Sequence, residues 1–462
     1  MNFDDGPIRL VDELSKKRVH LISLGCPKNR VDAELMLGQM KLDGYAVTDN
    51  PDDADVIVVN TCAFIESAKE ESVDAIVDMT DHRLNGKAER LIVTGCMAQR
   101  YGSELAQELP EVDYFLGTNE FKRIGDAARG ELPEREYITY GSALYTSDEE
   151  RVNTIRGGMA YIKIAEGCNR TCSFCIIPKI RGKQVSRPLL DIVQEVRMLA
   201  ASGVKEFALI AQDLTSYGID LGIKHGLEVL LEELHRVPGV KWVRLHYAYP
   251  WGFTDNLLEI IKQSDIIVPY VDMPLQHISD RMLKSMRRAV RAKDQRALIE
   301  KLRDIDDMVI RTTLITGFPG ETEEDFNLLH DWIQEVQFDH LGVFPYSLEE
   351  NTIAYDLPDR VDQEIAEERR NILMETQMDI ARKRNERYIG RTLDVLIDGV
   401  SPEHEYVLEG RHYGQALDVD GVTFLSFEDG APPAVPGEMV RVEIDDASTY
   451  DLVGIVLPET AQ

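Results

Sequence analysis

The sequence predicts an α/β chain of three parts: a doubly wound parallel sheet, an open (β/α)6 barrel and a small C-terminal β-barrel. Three observations carry this. Short apolar runs alternate with helical segments from residue 18 to about 130, and the same alternation resumes after about 159. After about residue 390 the helical pattern gives way to short strand-like runs broken by Pro and Gly. A chain of 462 residues also exceeds what one hydrophobic core organises.

In the first part, Arg18–Cys26, Asp55–Cys62 and Glu89–Cys96 share one layout: a β-rich apolar run that ends in cysteine. Helical segments at 31–43 and 65–78 separate them. In a parallel sheet the carboxyl ends of the strands share one edge, where open α/β sheets bind ligands. Cys26, Cys62 and Cys96 are therefore expected to meet there. Any one of them alone reads as an ordinary buried thiol. Three in the same position, each beside a small residue (Gly25, Thr61, Gly95), favour ligation of a metal cluster.

Residues 131–158 are polar and read as a linker between an N-terminal domain at 18–130 and a core at 159–389. In the core, strands are expected at 161–166, 206–212, 241–247, 270–275, 309–316 and 340–346. Helices are expected at 189–202, 322–336 and 362–387. The tail, 390–458, offers strands at 392–397, 422–427, 439–444 and 452–457.

Composition limits the function. Hydrophobic residues make up 44% and charged residues 29%, ordinary for a soluble enzyme. No run approaches a membrane span, and Met1–Lys17 has no apolar signal core, so the cytoplasm is the expected location and no membrane partner is expected. Six cysteines are too few for a disulfide scaffold. The net charge of −31 disfavours a nucleic-acid substrate and favours a basic partner. From Gly390 onward there are 3 Arg, no Lys and 15 Asp plus Glu.

The second cysteine group is compact. Cys168-Asn-Arg-Thr-Cys172-Ser-Phe-Cys175 follows the first barrel strand. Three thiolates on one loop hold three irons of a cubane cluster and leave the fourth iron open to a ligand that reacts. The competing readings are zinc or buried thiols. Structural zinc takes four ligands, and no fourth Cys or His lies in the loop. The CxxxCxxC spacing resembles the radical S-adenosylmethionine superfamily. That resemblance implies chelation of the open iron by the methionine end of S-adenosyl-L-methionine, followed by cleavage to a 5′-deoxyadenosyl radical.

Both triads together resemble the methylthiotransferase family within that superfamily. The resemblance runs from Arg18 to Leu457. It rests on Ser23-Leu-Gly-Cys-Pro-Lys-Asn29, Val59-Asn-Thr-Cys62, Val93-Thr-Gly-Cys96, Glu166 to Pro178, Pro274-Leu-Gln-His277 and Gly317-Phe-Pro-Gly-Glu-Thr322. It implies a radical-SAM barrel, a TRAM-like tail and two 4Fe-4S clusters, one on Cys168, Cys172 and Cys175 and an auxiliary one on Cys26, Cys62 and Cys96. One S-adenosylmethionine would serve as methyl donor and a second as radical source, with both clusters facing one chamber. An electron donor and a sulfur donor are implied without being identified, and no proton-transfer residue is assigned. Gly317 and Pro319 would approach the adenosyl group.

Two branches compete. Gly25-Cys-Pro-Lys-Asn29 and Leu245-His-Tyr-Ala-Tyr-Pro250 are similar to the RimO-like branch, whose substrate is an aspartate β-carbon of small-subunit ribosomal protein twelve. The MiaB-like branch, which modifies a tRNA adenosine, usually has Cys-Gln-Met-Asn at the first cysteine. The acidic tail also suits a cationic ribosomal protein better than a phosphate backbone. A reading from another class is a non-catalytic, metal-containing protein that binds RNA or the ribosome. The basic stretch Lys284, Arg287, Arg288, Arg291 and Lys293 reads as a solvated face. Gln212 and Gln276-His277 end two strands and would face the barrel mouth or cap helices.

Overall fold

The computed structural model describes residues 16–402, 407–427 and 434–458. The reading of Met1–Lys17 thus falls almost wholly outside the described residues, as do parts of the acidic tail. The chain forms two compact units.

The first unit is built on a six-stranded, all-parallel sheet. Its strands are β1 (Arg18–Ser23), β2 (Ala46–Val47), β3 (Val56–Thr61), β4 (Arg90–Gly95), β5 (Tyr114–Leu116) and β6 (Glu136–Tyr137), in the order β2-β1-β3-β4-β5-β6. Every residue of β3 is buried, as the continuous run Val56-Ile-Val-Val-Asn-Thr61 requires of a strand covered on both faces. Ile57, Val59, Leu91, Val93 and Phe115 form the core with Ile76 and Met97. The order reverses at β1, so the β1/β3 crevice is a topological switch point, where such sheets hold ligands. Within 131–158, read as linker, Glu136–Tyr137 pairs with β5 and extends the sheet. Polar composition hides such a strand, because a two-residue edge strand needs no apolar run.

Segments 165–170 and 175–187 also belong to this unit. Here β8 (Ala165–Glu166) pairs antiparallel with β9 (Val185–Ser186). The expected strand 161–166 is thus divided. Its first part is β7 (Met159–Lys163), a barrel strand of the second unit. Ile176 and Ile180 enter the core of the first unit.

In the second unit β7 is followed by β10 (Glu206–Ile210), β11 (Trp242–Leu245), β12 (Ile267–Asp272), β13 (Val309–Thr316) and β14 (His340–Pro345). They form an open parallel sheet in the order β14-β13-β12-β11-β10-β7, the expected six-strand barrel. Helices occur at Leu189–Ala201, Glu323–Val336 and Gln363–Glu386. The tail closes into a barrel from β15 (Thr392–Val400), β16 (Leu408–His412), β17 (Thr423–Phe427), β18 (Met439–Ala447) and β19 (Leu452–Val456). β16 is an addition to the expected four. Its sequence Leu-Glu-Gly-Arg-His lacks apolar alternation because Arg411 and His412 are themselves buried.

The small barrel packs on the amino-terminal ends of the large one. Trp242, Val268 and Val309, near the starts of their strands, share a core with Leu396 and Ala416. A buried charge network lies beside it. Glu206 accepts from Arg244 Nε and Arg411 Nη1, each at 2.7 Å, and Arg411 also donates to both oxygens of Asp398. Burial alone would raise the Glu206 carboxyl pKa, but Arg411 and Arg244 reverse this and hold it below the ordinary value.

Truncating Glu206 leaves two buried guanidinium groups under-compensated. Glu206→Ala is expected to lose about 3–5 kcal/mol of stability, measured by denaturant unfolding of the metal-free chain. Because the folded pKa is depressed, the stabilisation is present above the ordinary carboxylate pKa of 4.5 and is lost as pH falls through the lower folded value. The gap between the parent and the variant should therefore be constant near neutral pH and narrow below 4.5.

Candidate functional site

Cys26 is the N-cap of the Pro27–Leu42 helix, whose first turn starts with proline. Cys62 directly follows β3, and Cys96 opens the Cys96–Glu108 helix after β4. Two of the three thiols thus sit at helix amino termini, where the macrodipole favours a thiolate. Backbone and side chains lock these ends together. Asn29 Nδ2 donates to Leu24 O and to Thr61 O, each at 2.9 Å, and Cys96 Sγ lies 3.6 Å from Asn29 Oδ1. Ser72 Oγ accepts from Cys62 N at 3.0 Å and donates to carbonyl oxygen. At Gly25, with φ +83°, a Cβ would stand 2.8 Å from Cys62 Sγ. The missing Cβ lets the Cys62 side chain pack against the backbone that leads into Cys26.

The thiols respond to one another. Cys62 is pushed up to about 12 by burial, with Cys96 and Cys26 adding to the shift. Cys96 is also raised, by burial first, while nearby Arg181 opposes it. Cys62 and Cys96 are buried and Cys26 half-buried, and thiolates at the two buried positions need a cation beside them. Among the described residues no three His, Cys, Asp or Glu side chains gather closely enough for a single ion. A cubane, whose three ligand sulfurs bind three different irons, asks for wider spacing. The donor set of three thiols at one sheet edge fits a 4Fe-4S cluster.

The compact triad lies on the loop after β8. Cys168 is buried, and Cys172 and Cys175 are half-buried. Within the first unit, Cys168 N donates to Gly182 O at 3.1 Å. Within the second, Ser173 N donates to Met286 O at 3.0 Å and Ser173 Oγ to Ser285 O at 2.8 Å. Arg288 Nη1 approaches Cys172 Sγ at 3.6 Å, its Nη2 donates to Pro274 O at 2.6 Å, and its guanidinium stacks on Tyr249. This corrects the solvated-face reading for Arg288. Lys284, Arg287, Arg291 and Lys293 are exposed, as that reading requires.

Other strand-end residues have structural partners. His277 Nδ1 accepts from Ile278 N and Ser279 N, which places the ring proton on Nε2 facing Glu321 at 3.2 Å. The cap of the helix that follows is Ser279, whose side chain accepts from Met282 N, and His277 holds the backbone just before it. Glu321 in turn accepts from Gly317 N and Arg369. Gly317 has φ +71°, and a Cβ there would lie 2.2 Å from Ala366 Cβ. Helix packing therefore explains this glycine without reference to a ligand. Pro319 is buried in the same turn. Thr322 caps the following helix through a capping box with Asp325.

Comparison with known proteins matches three family models along the chain: the uncharacterized protein family UPF0004 over residues 18–117, the Radical SAM superfamily over 162–333 and the TRAM domain over 389–457. A ribosomal protein uS12 methylthiotransferase RimO from Myxococcus xanthus is 48% identical over 97% of this chain and 93% of its own. The relative of the same name from Citrifermentans bemidjiense is 46% identical over 97% and 100%. The chain belongs to the RimO family. That of Anaeromyxobacter sp. (strain Fw109-5) is likewise 48% identical, over 97% of this chain and 96% of its own. Among solved structures, the radical S-adenosylmethionine methyltransferase TsrM from Kitasatospora setae superposes with a TM-score of 0.52 at 15% identity, over 71% of this chain and 75% of that one. The cobalamin-dependent radical enzyme OxsB gives 0.50 at 11% identity, over 79% and 57%. These two share the fold.

Sequence reasoning missed Arg181 and gave Arg288 only as part of a basic stretch; tertiary structure places Arg288 beside Cys172 and joins Arg181 to Cys96 through Asn29. The crowding at Gly25 gives a direct test. Gly25→Ala should fold yet lose about half of the iron bound after anaerobic reconstitution, as read by iron analysis. Equal iron in variant and parent would contradict the assignment of Cys26 and Cys62 to one site.

Proposed function

We infer that this chain transfers a methylthio group to the β-carbon of an aspartate in small-subunit ribosomal protein uS12. The observation that carries the reading is the meeting of Cys26, Cys62 and Cys96 at one sheet edge, in a chain that aligns almost end to end with RimO relatives. When bound, two 4Fe-4S clusters and S-adenosyl-L-methionine supply the radical and methyl chemistry, and separate sulfur and electron donors complete the balance.

The chain's own residues hold and orient. Cys168, Cys172 and Cys175 are proposed to ligate the cluster that binds S-adenosylmethionine, and Cys26, Cys62 and Cys96 the auxiliary one. Ser173 anchors the middle of the compact loop. Arg288 fixes the Cys172 side through Tyr249 and Pro274. Glu321, held by His277 and Arg369, fixes the turn at Gly317 and Pro319 by accepting from Gly317 N, and this turn is proposed to flank the adenosyl group. The domain limits proposed are 18–130, 159–389 and 390–458, with 131–158 between the first two.

Among the described residues no helix is long and apolar enough to cross a membrane. The cytoplasm, where ribosomal proteins are made and assembled, is the proposed location. The acidic tail supports a basic protein substrate over tRNA.

A deletion strain complemented with this chain decides the substrate. Mass spectrometry should find one methylthio group restored to uS12 and no change in tRNA nucleosides. Restoration on adenosine instead would transfer the assignment to tRNA. In vitro, Cys172→Ala should abolish release of 5′-deoxyadenosine. Cys62→Ala should retain that release and lose methylthio transfer.

A further inference from the structure

Arg181 lies in the segment after Cys175, and its side chain is 2% exposed. Within the first unit its Nη1 donates to Glu166 Oε2 at 2.8 Å, and Nη1 and Nη2 each approach Asp32 Oδ2 at 3.1 Å. Nη2 also donates to Asn29 Oδ1, the same oxygen that Cys96 Sγ approaches. The guanidinium and the Cys96 thiol thus share one acceptor, Asn29 Oδ1. Cys26 is close enough to act on the guanidinium electrostatically.

A buried arginine costs several kcal/mol of desolvation unless it is paired. Two carboxylates already provide more negative charge than it needs. Yet the fork is also turned toward the strand ends, through Asn29, which ties Leu24 to Thr61. Its planar donors suit a simultaneous grip on two carboxylates and on the Asn29 amide oxygen that Cys96 also approaches. A cluster held by three thiolates gains negative charge on reduction. A cation near its ligand sulfurs favours the reduced form.

We propose that Arg181 is a positioning residue for the auxiliary cluster: it holds Asn29 and Cys96 at the sheet edge, and its charge raises the cluster's reduction potential. This rests on the reading that Cys26, Cys62 and Cys96 carry that cluster.

The test uses the full-length chain with Cys168→Ala, Cys172→Ala and Cys175→Ala, reconstituted anaerobically with iron and sulfide. An iron content of about four per chain supports the underlying reading, and none removes it whatever Arg181 does. Reductive titration followed by electron paramagnetic resonance then reads Arg181. Arg181→Met should lower the ratio of reduced to oxidised cluster about tenfold at a fixed poise, a shift of about 59 mV to more negative potential. Arg181→Lys, which keeps the charge, should stay within about twofold of the parent, a shift of about 18 mV at most. A parental midpoint in Arg181→Met, or an equal shift in Arg181→Lys, overturns the proposal. Should Arg181→Met retain no iron, Arg181→Lys decides. A full cluster near the parental midpoint supports the role of charge, and loss of iron there too overturns it.

Discussion

Parallel strands finish on a common edge, and the chemistry of this chain depends on that. Cys26, Cys62 and Cys96 are far apart in sequence and have no shared motif spacing. They meet because β1, β3 and β4 are adjacent, run the same way and end level, with Val19 beside Val56 and Val56 beside Arg90. Asn29 and Ser72 then convert an approximate meeting into a fixed one, by satisfying strand-end backbone groups from the helices that follow. Gly25, having no Cβ, lets the Cys62 side chain pack against its backbone.

The second unit divides its labour between the two ends of its barrel. The carboxyl ends of the strands carry the Gly317 turn and His277, the end that (β/α) barrels use for chemistry. The amino ends are sealed by the tail barrel, through an apolar contact and a buried network around Glu206 and Arg411. Of the three tail arginines, Arg411 is therefore spent inside. On the proposed function, the acidic character of the tail bears on how a basic partner is attracted and held.

Much of this was legible in the sequence, for physical reasons. Parallel strands buried along almost their whole length read as apolar runs, so β3, β4 and β10 lie close to where the pattern puts them. The 168–175 spacing is local and survives without tertiary knowledge. What escaped was long-range or atypical. β16 hides its role because its buried residues are charged and find partners only across the fold. The start of the Pro27–Leu42 helix lies before the apolar periodicity begins, since Pro27 at the first turn needs no apolar neighbour. Gly317 suggested a ligand, but the approach of Ala366 is a sufficient cause for it. Arg181 left no signal and Arg288 only that of a basic stretch, because a basic residue gains meaning only from what it touches.

The central claim is that the three strand-end thiols form one cluster site. Mössbauer spectroscopy of the chain reconstituted with iron-57, compared with its Cys62→Ala variant, tests it most directly. The account predicts about eight irons in cubane environments for the parent, and about half of that absorption in the variant, with the remainder unchanged in character. Identical spectra and iron content in the two proteins would contradict it.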